Sequence, residues 1–374
     1  MLLLRKISTE GMDRGVLTYA AAFIAGAASA LLFTCSQTIM TALTLLFGIL
    51  TFLLKKHPIT FIVCSHLAFI SAGAGICTTE QHISSSRQLP AIAQLGAAAG
   101  KMQEAATNHL KRIANTQQTH ATLCAIAVGE KSFMGKELKK SYSATGAMHV
   151  LALSGLHIGI AFAIIYTLLL PLAAIPYGGI ARNIIAIIFI VGYSIFSGCS
   201  PSVIRAATMI ILYKIAAGKF RHISNWDAIA ISALAILTFS PLQLKNIGFQ
   251  LSYCAVMGIA MLFPTCNLAF KQMVPQWKGY KKFLWKGIYW LWCSIAISVC
   301  CQIATLPASL YHFGYSAPYF LLANLIAVPL ATGILYTLTL TLCLQWIPFV
   351  GEWCIELLNL LISLLNSAVM YISG

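Results

Sequence analysis

Apolar residues in this chain run in stretches too long for the short alternating or heptad spacings of soluble elements. Such runs lie near residues 16–33, 38–54 and 59–77, before a mostly polar stretch over 78–147. Eight more follow, near 149–170, 180–197, 201–217, 226–241, 247–264, 287–306, 318–345 and 351–372. Most approach the ~20 residues that a helix needs to cross hydrocarbon. The pattern predicts an all-α polytopic membrane protein with about 10–11 transmembrane or re-entrant helices plus an outer amphipathic helix. The first run follows Arg5, Lys6 and Arg14, and a second run comes directly after it, which favours an uncleaved helix over a signal peptide. The last run carries Glu352 and Glu356 on one face, so it reads as a hydrophobic or interfacial helix, or one packed on a partner. In the polar stretch, Ile92, Leu95, Ala99, Met102, Ala106, Leu110 and Ile113 recur at three- and four-residue steps. They predict an amphipathic helix over 92–116 that lies on the bilayer or covers a pore mouth. Four regions result: an N-terminal membrane segment of about three helices (1–77), the polar outer stretch (78–147), a membrane core (148–345) and the C-terminal helix (346–374).

Composition supports the membrane class. Of the 374 residues, 59% are apolar and only 9% charged, and the mean hydropathy is +0.84. A soluble surface needs roughly a quarter of its residues charged. The net charge of +15 would suggest nucleic acid in a soluble protein, but its placement has another cause. With the N-terminus cytoplasmic, the short inner loops hold fourteen Lys or Arg and the short outer loops hold one, Lys245. That is the positive-inside bias, and it puts 78–147 outside. The charge is mostly topology. The twelve cysteines are scattered, largely within apolar runs, and form no CxxC pair or metal spacing. No metal ligand set, catalytic group or cofactor site is expected.

Ionisable and strongly polar groups at membrane depth are costly, so those present face a cavity or a partner. The segment HVLALSGLHIG, 149–159, holds His149, Ser154 and His157. On one continuous helix the two histidines fall within about 80° of each other, and Ser154 adjoins His157. Gly155 and Gly159 permit close packing or a local break. In SGCSPSVIRAA, 197–207, Pro201 suits a first helical turn and Ser200 a cap, with Ser202 beside free N–H groups that suit an anion. Arg205, one turn on, has three candidate partners: Asp227, backbone carbonyls or a mobile anion. GFQLSY, 248–253, contributes Gln250 and Ser252. In CQIATLPASLYHFGYSAPYFLLANLIAVP, 301–329, Pro307, Pro318 and Pro329 interrupt the run, with Gly314, Tyr311, Phe313 and Tyr315 between them. The expectation there is a helix, a short turn, then a helix kinked at Pro329, with Gln302 and Asn324 facing inward.

These four motifs, in this order from about Ala121 to Leu344, resemble the ComEC competence-protein family. The resemblance implies an inner-membrane channel that translocates single-stranded DNA into the cytoplasm during natural transformation. It implies no enzymatic activity in this chain. Implied partners are a periplasmic DNA receptor (ComEA-like), a cytoplasmic ATPase or helicase (ComFA-like), a separate nuclease for the other strand, and membrane lipid. The polar residues above, from His149 to Asn324, become candidates for lining the DNA path. Many family members carry a periplasmic OB-like domain and a C-terminal metallo-β-lactamase-like domain. Neither pattern occurs here, so an abbreviated form is expected. Ser240 stands where the family often has Asp.

Two rival readings come from the same residues. The histidines suit a proton relay in a proton-coupled small-solute transporter. Ser154 with His157 or His149 suggests an intramembrane serine hydrolase, against which stands the placing of Ser154 and His157 on one helix.

Overall fold

In the computed structural model, residues 14–32, 36–54, 58–84, 90–218, 223–273, 282–314 and 319–374 are described. Among them the chain is entirely helical apart from turns, as the long apolar runs require. The helices are α1 (Arg14–Leu32), α2 (Gln37–Leu53), α3 (Pro58–Ser84), α4 (Pro90–Ile113), α5 (Gln117–Val128), α6 (Lys136–Ala144), α7 (Met148–Leu151) and α8 (Gly155–Leu168). They continue as α9 (Gly178–Phe196), α10 (Pro201–Gly218), α11 (Asn225–Phe239), α12 (Ile247–Met273), α13 (Lys282–Phe313), α14 (Phe320–Leu344) and α15 (Val350–Ser373). Among the described residues six helices are long and apolar enough to cross a membrane, namely α3, α9, α12, α13, α14 and α15. Four shorter apolar helices, α1, α2, α8 and α11, accompany them. Large apolar side chains on their outer faces are exposed, among them Leu45, Ile188, Leu284 and Leu360. In lipid that is the expected arrangement.

The chain divides into two compact units, Met1–Ala93 with Thr208–Tyr253, and Gln94–Ala207 with Cys254–Gly374. In the first unit α1 and α2 both pack on α3. The contact is made of small residues, because lipid supplies no hydrophobic drive between helices and close backbone approach must do the work. Ala27, Ala30, Ala74 and Cys77 form the seam. A Cβ on Gly26 would overlap the Ile70 carbonyl, and one on Gly73 the Phe23 carbonyl. Beyond α3, the Glu80 carboxylate accepts from the Ser240 hydroxyl and the Leu242 N–H, each at 2.9 Å, and so fixes the turn after α11.

The second unit has the larger apolar core. Leu123, Cys124 and Ile126 of α5 pack with Tyr142 of α6, Ala327 and Ile334 of α14, and Leu358, Ile362 and Leu365 of α15. One face of α15 is buried against α14, α5 and α6, while Glu352 and Glu356 lie together on its exposed side. The polar stretch holds two helices beyond α4: α5, buried on every side from Thr119 to Ile126, and α6, which buries Leu138 and Tyr142 and exposes its lysines. In α4 itself Ala99, Leu110 and Ile113 are buried but Met102 is 59% exposed, so Met102 falls off the packed face. The side chains of Ile92 and Leu95 lie outside the described residues, as do Tyr315 and Pro318.

Candidate functional site

Of the two arrangements open to 149–159, a continuous helix and a local break, the chain takes the break. Helix α7 ends at Leu151, Ala152 is extended (φ −84°, ψ 134°), and α8 restarts at Gly155 behind Ser154 (φ −112°, ψ 169°). The break follows from local chemistry: Ser154 is a strong N-cap, and a side-chain acceptor three residues on completes a reciprocal cap. Here that acceptor is an imidazole. The Ser154 N–H reaches His157 Nδ1 at 3.3 Å, and the Ser154 hydroxyl lies 2.8 Å from the same nitrogen. Because Nδ1 accepts, the ring proton belongs on Nε2. His157 is 1% exposed, and its Nε2 has no hydrogen-bond partner. His149 therefore does not share a helix face with His157. Its Nδ1 sits 2.8 Å from the Gly146 carbonyl, and its ring packs 5.7 Å from Phe320 at the start of α14.

Gly155 faces the opening turns of α10. A Cβ there would meet Ala206 Cβ and Arg205 Nη2, each at 3.3 Å, and the Ser202 carbonyl at 4.0 Å. The start of α8 thus rests on a guanidinium that is 8% exposed. Cys301 of α13 lies within electrostatic reach of the same group. Gly159 differs, since a Cβ there would meet nothing within 4 Å. The expectation of close packing at Gly159 is corrected.

Before α10 the chain turns through Gly198 (φ 73°) and Cys199 (φ 51°), a left-handed pair unusual for a side chain at the second position. Pro201 then opens the helix, with the Ser200 carbonyl accepting from Val203 and Ile204 N–H at 3.0 Å each. The Ser200 hydroxyl makes no cap and has no partner, contrary to the capping role expected for it. Asn324, on the second turn of α14, is 7% exposed with its Oδ1 unpartnered. Helix α14 packs against α7 and α8. Gln302 is half-buried on α13. Pro307 and Pro329 do not break their helices: α13 and α14 run through them, and the reversal comes at Gly314 (φ 71°).

Gln250 and Ser252 belong to the first unit. Gln250 Nε2 donates to the Leu244 carbonyl at 2.7 Å. Asp227 is engaged in its own cap, its carboxylate taking the Ser224 hydroxyl at 2.8 Å while its N–H donates to Ser224 Oγ at 3.1 Å.

Sequence reasoning missed one polar set in the second unit. Asn359 Nδ2 donates to the Ile113 carbonyl at 2.9 Å, and its Oδ1 accepts from Asn115 N–H at 3.0 Å. Asn366 Oδ1 accepts from both Thr122 Oγ1, at 3.0 Å, and the Tyr142 hydroxyl, at 2.9 Å. The signal was present, since two asparagines seven apart lie on one face of an apolar helix.

The fold and this site define a multi-pass all-α membrane protein with a polar helix break in its second unit. A family model described as Competence protein matches residues 126–374. The chain belongs to the competence-protein family. It is similar to ComE operon protein 3 of Bacillus subtilis, at 27% identity over 214 residues, covering 56% of this chain and 24% of that protein. It is also similar to Recombination protein 2 of Haemophilus influenzae, at 26% identity over 231 residues, covering 58% of this chain and 27% of that protein. Uncharacterized protein YcaI of Escherichia coli is 24% identical over 231 residues, which cover 59% of this chain and 28% of that protein. The chain spans about a quarter of the length of these curated relatives. No solved structure matches it.

Proposed function

We propose that this chain is the membrane core of a channel that carries one strand of DNA across the cytoplasmic (inner) membrane during natural transformation. The observation that carries the reading is the family match over 126–374, which takes in all four motifs. The geometry supports it. A strand with one negative charge per nucleotide needs dispersed donors that hold it weakly at many points, since tight binding would stop conduction. His157 Nε2, the Ser200 hydroxyl, Asn324 and the Arg205 guanidinium supply such groups around a helix break, at the positive end of the α8 dipole.

In this reading the chain conducts and does not catalyse. A periplasmic DNA receptor delivers the strand, a cytoplasmic ATPase draws it inward, and a separate nuclease removes the complement. Deleting the chain from a transformable host while following labelled DNA tests this directly. The expected result is DNA that reaches the periplasm, no strand in the cytoplasm, and transformation lost. Normal transformation in the deletion strain overturns the reading.

One observation favours a second reading, intramembrane serine hydrolysis: Ser154 Oγ lies 2.8 Å from His157 Nδ1. The same nitrogen also takes the Ser154 N–H, so the pair is accounted for as a helix cap. Labelling of Ser154 by a fluorophosphonate separates the two, and none is expected.

A further inference from the structure

The polar stretch does not sit only at the end of the second unit. Gln103 of α4 donates to the Phe196 carbonyl at 2.6 Å, at the last residue of the apolar helix α9. Ten residues on, the α4–α5 turn is held by Asn359, and α5 and α6 are both held by Asn366. At 1.5 Å per residue these asparagines stand about 13 Å and about 24 Å along α15 from Val350. Both positions are interior to a helix of 24 residues that is long and apolar enough to span. The α4–α5 turn and α5 therefore lie beside the middle of an apolar helix.

The last turn of α4 and helix α6 expose charge. Lys111, Arg112, Lys136, Glu137, Lys139 and Lys140 are all exposed. Lipid is a poor solvent for such groups, and irregular backbone at this depth is tolerated where protein encloses water. Two clefts open on this surface. One, of about 710 Å³, is lined by Asn108, Lys111, Asn115, Gln117, His120 and Phe133 among others. Its neighbour, of about 430 Å³, shares Gln117 and Phe133 and adds Lys136. Phe133 is 45% exposed between them, with its ring 5.2 Å from that of His120. An exposed aromatic flanked by two lysines and several amides matches what a single strand presents, a π-face and phosphates at regular spacing. An acyl chain would need an apolar floor, which the larger cleft lacks; the smaller adds Met134 and Leu138 to its lining, with Glu137 beside Lys136.

We infer that these clefts, at the α4–α5 turn and the start of α6, are a binding subsite for single-stranded DNA on the wall of the water-filled path. A base stacks on Phe133, and phosphates lie against Lys111 and Lys136. The inference rests on the reading of the chain as a DNA channel.

The test uses the full chain in nanodiscs with a fluorescent oligothymidylate, read by anisotropy. Phe133→Leu is expected to weaken binding about tenfold, the loss of one stacking contact. Lys111→Gln with Lys136→Gln is expected to flatten the salt dependence by about 1.4 in log–log slope, the share of two phosphate contacts on a single strand. Met102→Ala, exposed elsewhere on α4, is expected to bind as the parent does. Parental binding by the Phe133 and lysine variants overturns the inference, as does displacement of the oligonucleotide by phosphatidylglycerol vesicles, which would make the surface a lipid site. Import in cells separates this from the broader reading. If deletion abolishes import but both sets of variants import normally, the subsite alone fails; if the deletion strain imports normally, the channel reading fails with it.

Discussion

The α1–α3 bundle of the first unit and the α8–α10 region of the second solve the same problem in opposite ways. Both must place polar residues among apolar helices. In α1–α3 the hydroxyls return to their own helix: Ser71 bonds the Leu67 carbonyl at 2.9 Å, Thr78 the Gly75 carbonyl at 2.9 Å, and Ser29 the Gly26 carbonyl at 2.7 Å. Among the described residues of that bundle, no buried side-chain polar atom lacks a partner. Around α8 and α10 the helices are interrupted, and His157 Nε2 and Ser200 Oγ stay unpartnered. Buried polar groups left without partners cost stability, about 1–3 kcal/mol each. A fold that keeps them spends stability where the other region saves it.

The contrast can be broken most severely in the first region. Gly73→Leu drives a side chain into the Phe23 carbonyl and is expected to cost about 3 kcal/mol or more. Folded protein in membranes, measured by protease resistance, should fall along with import. In the second region the two should part. Arg205→Ala and His157→Ala are expected to lower DNA import about tenfold or more, the scale of one charge-assisted hydrogen bond, at unchanged protein level. Full import by both would assign these residues to packing.

Asn366→Leu sharpens the comparison from the structural side of the second unit. It strips the shared acceptor from Thr122 and Tyr142. A loss of about 1–3 kcal/mol in thermal or denaturant unfolding in detergent is expected. Ser154→Ala removes a cap and should cost about 1 kcal/mol in the same assay. The smallest effect belongs to Gly159→Ala. With open space at its Cβ position inside a helix, it is expected to add about 0.5–1 kcal/mol and leave import unchanged.

The membrane class and the helix positions were legible because lipid demands long apolar runs, a signal that needs no partner to be read. The motif around Ser154 was legible as polar, but its geometry was not. Periodicity assumed a continuous helix through His149 and His157, whereas the Ser154 cap outweighed helix continuation across Ala152. Prolines misled in the other direction. Pro307 read as an interruption and Pro329 as a kink, yet α13 and α14 run through them, and the turn between the two helices opens at Gly314. Helix α5 was hidden because its apolar run is short and flanked by polar residues. Its burial depends on Asn359 and Asn366, more than 200 positions away in the chain, and no local window contains that contact.

The most direct test of the central claim, that the strand passes the helix break of the second unit, is site-specific photo-crosslinking during import. A benzoylphenylalanine at Leu156, which is 43% exposed beside Gly155, is compared with one at Leu45, 68% exposed on α2. Labelled DNA is supplied to cells in which both variants still import. The expected result is a single-stranded DNA adduct at position 156 and none at position 45. Adducts at position 45 with none at position 156 would contradict the claim.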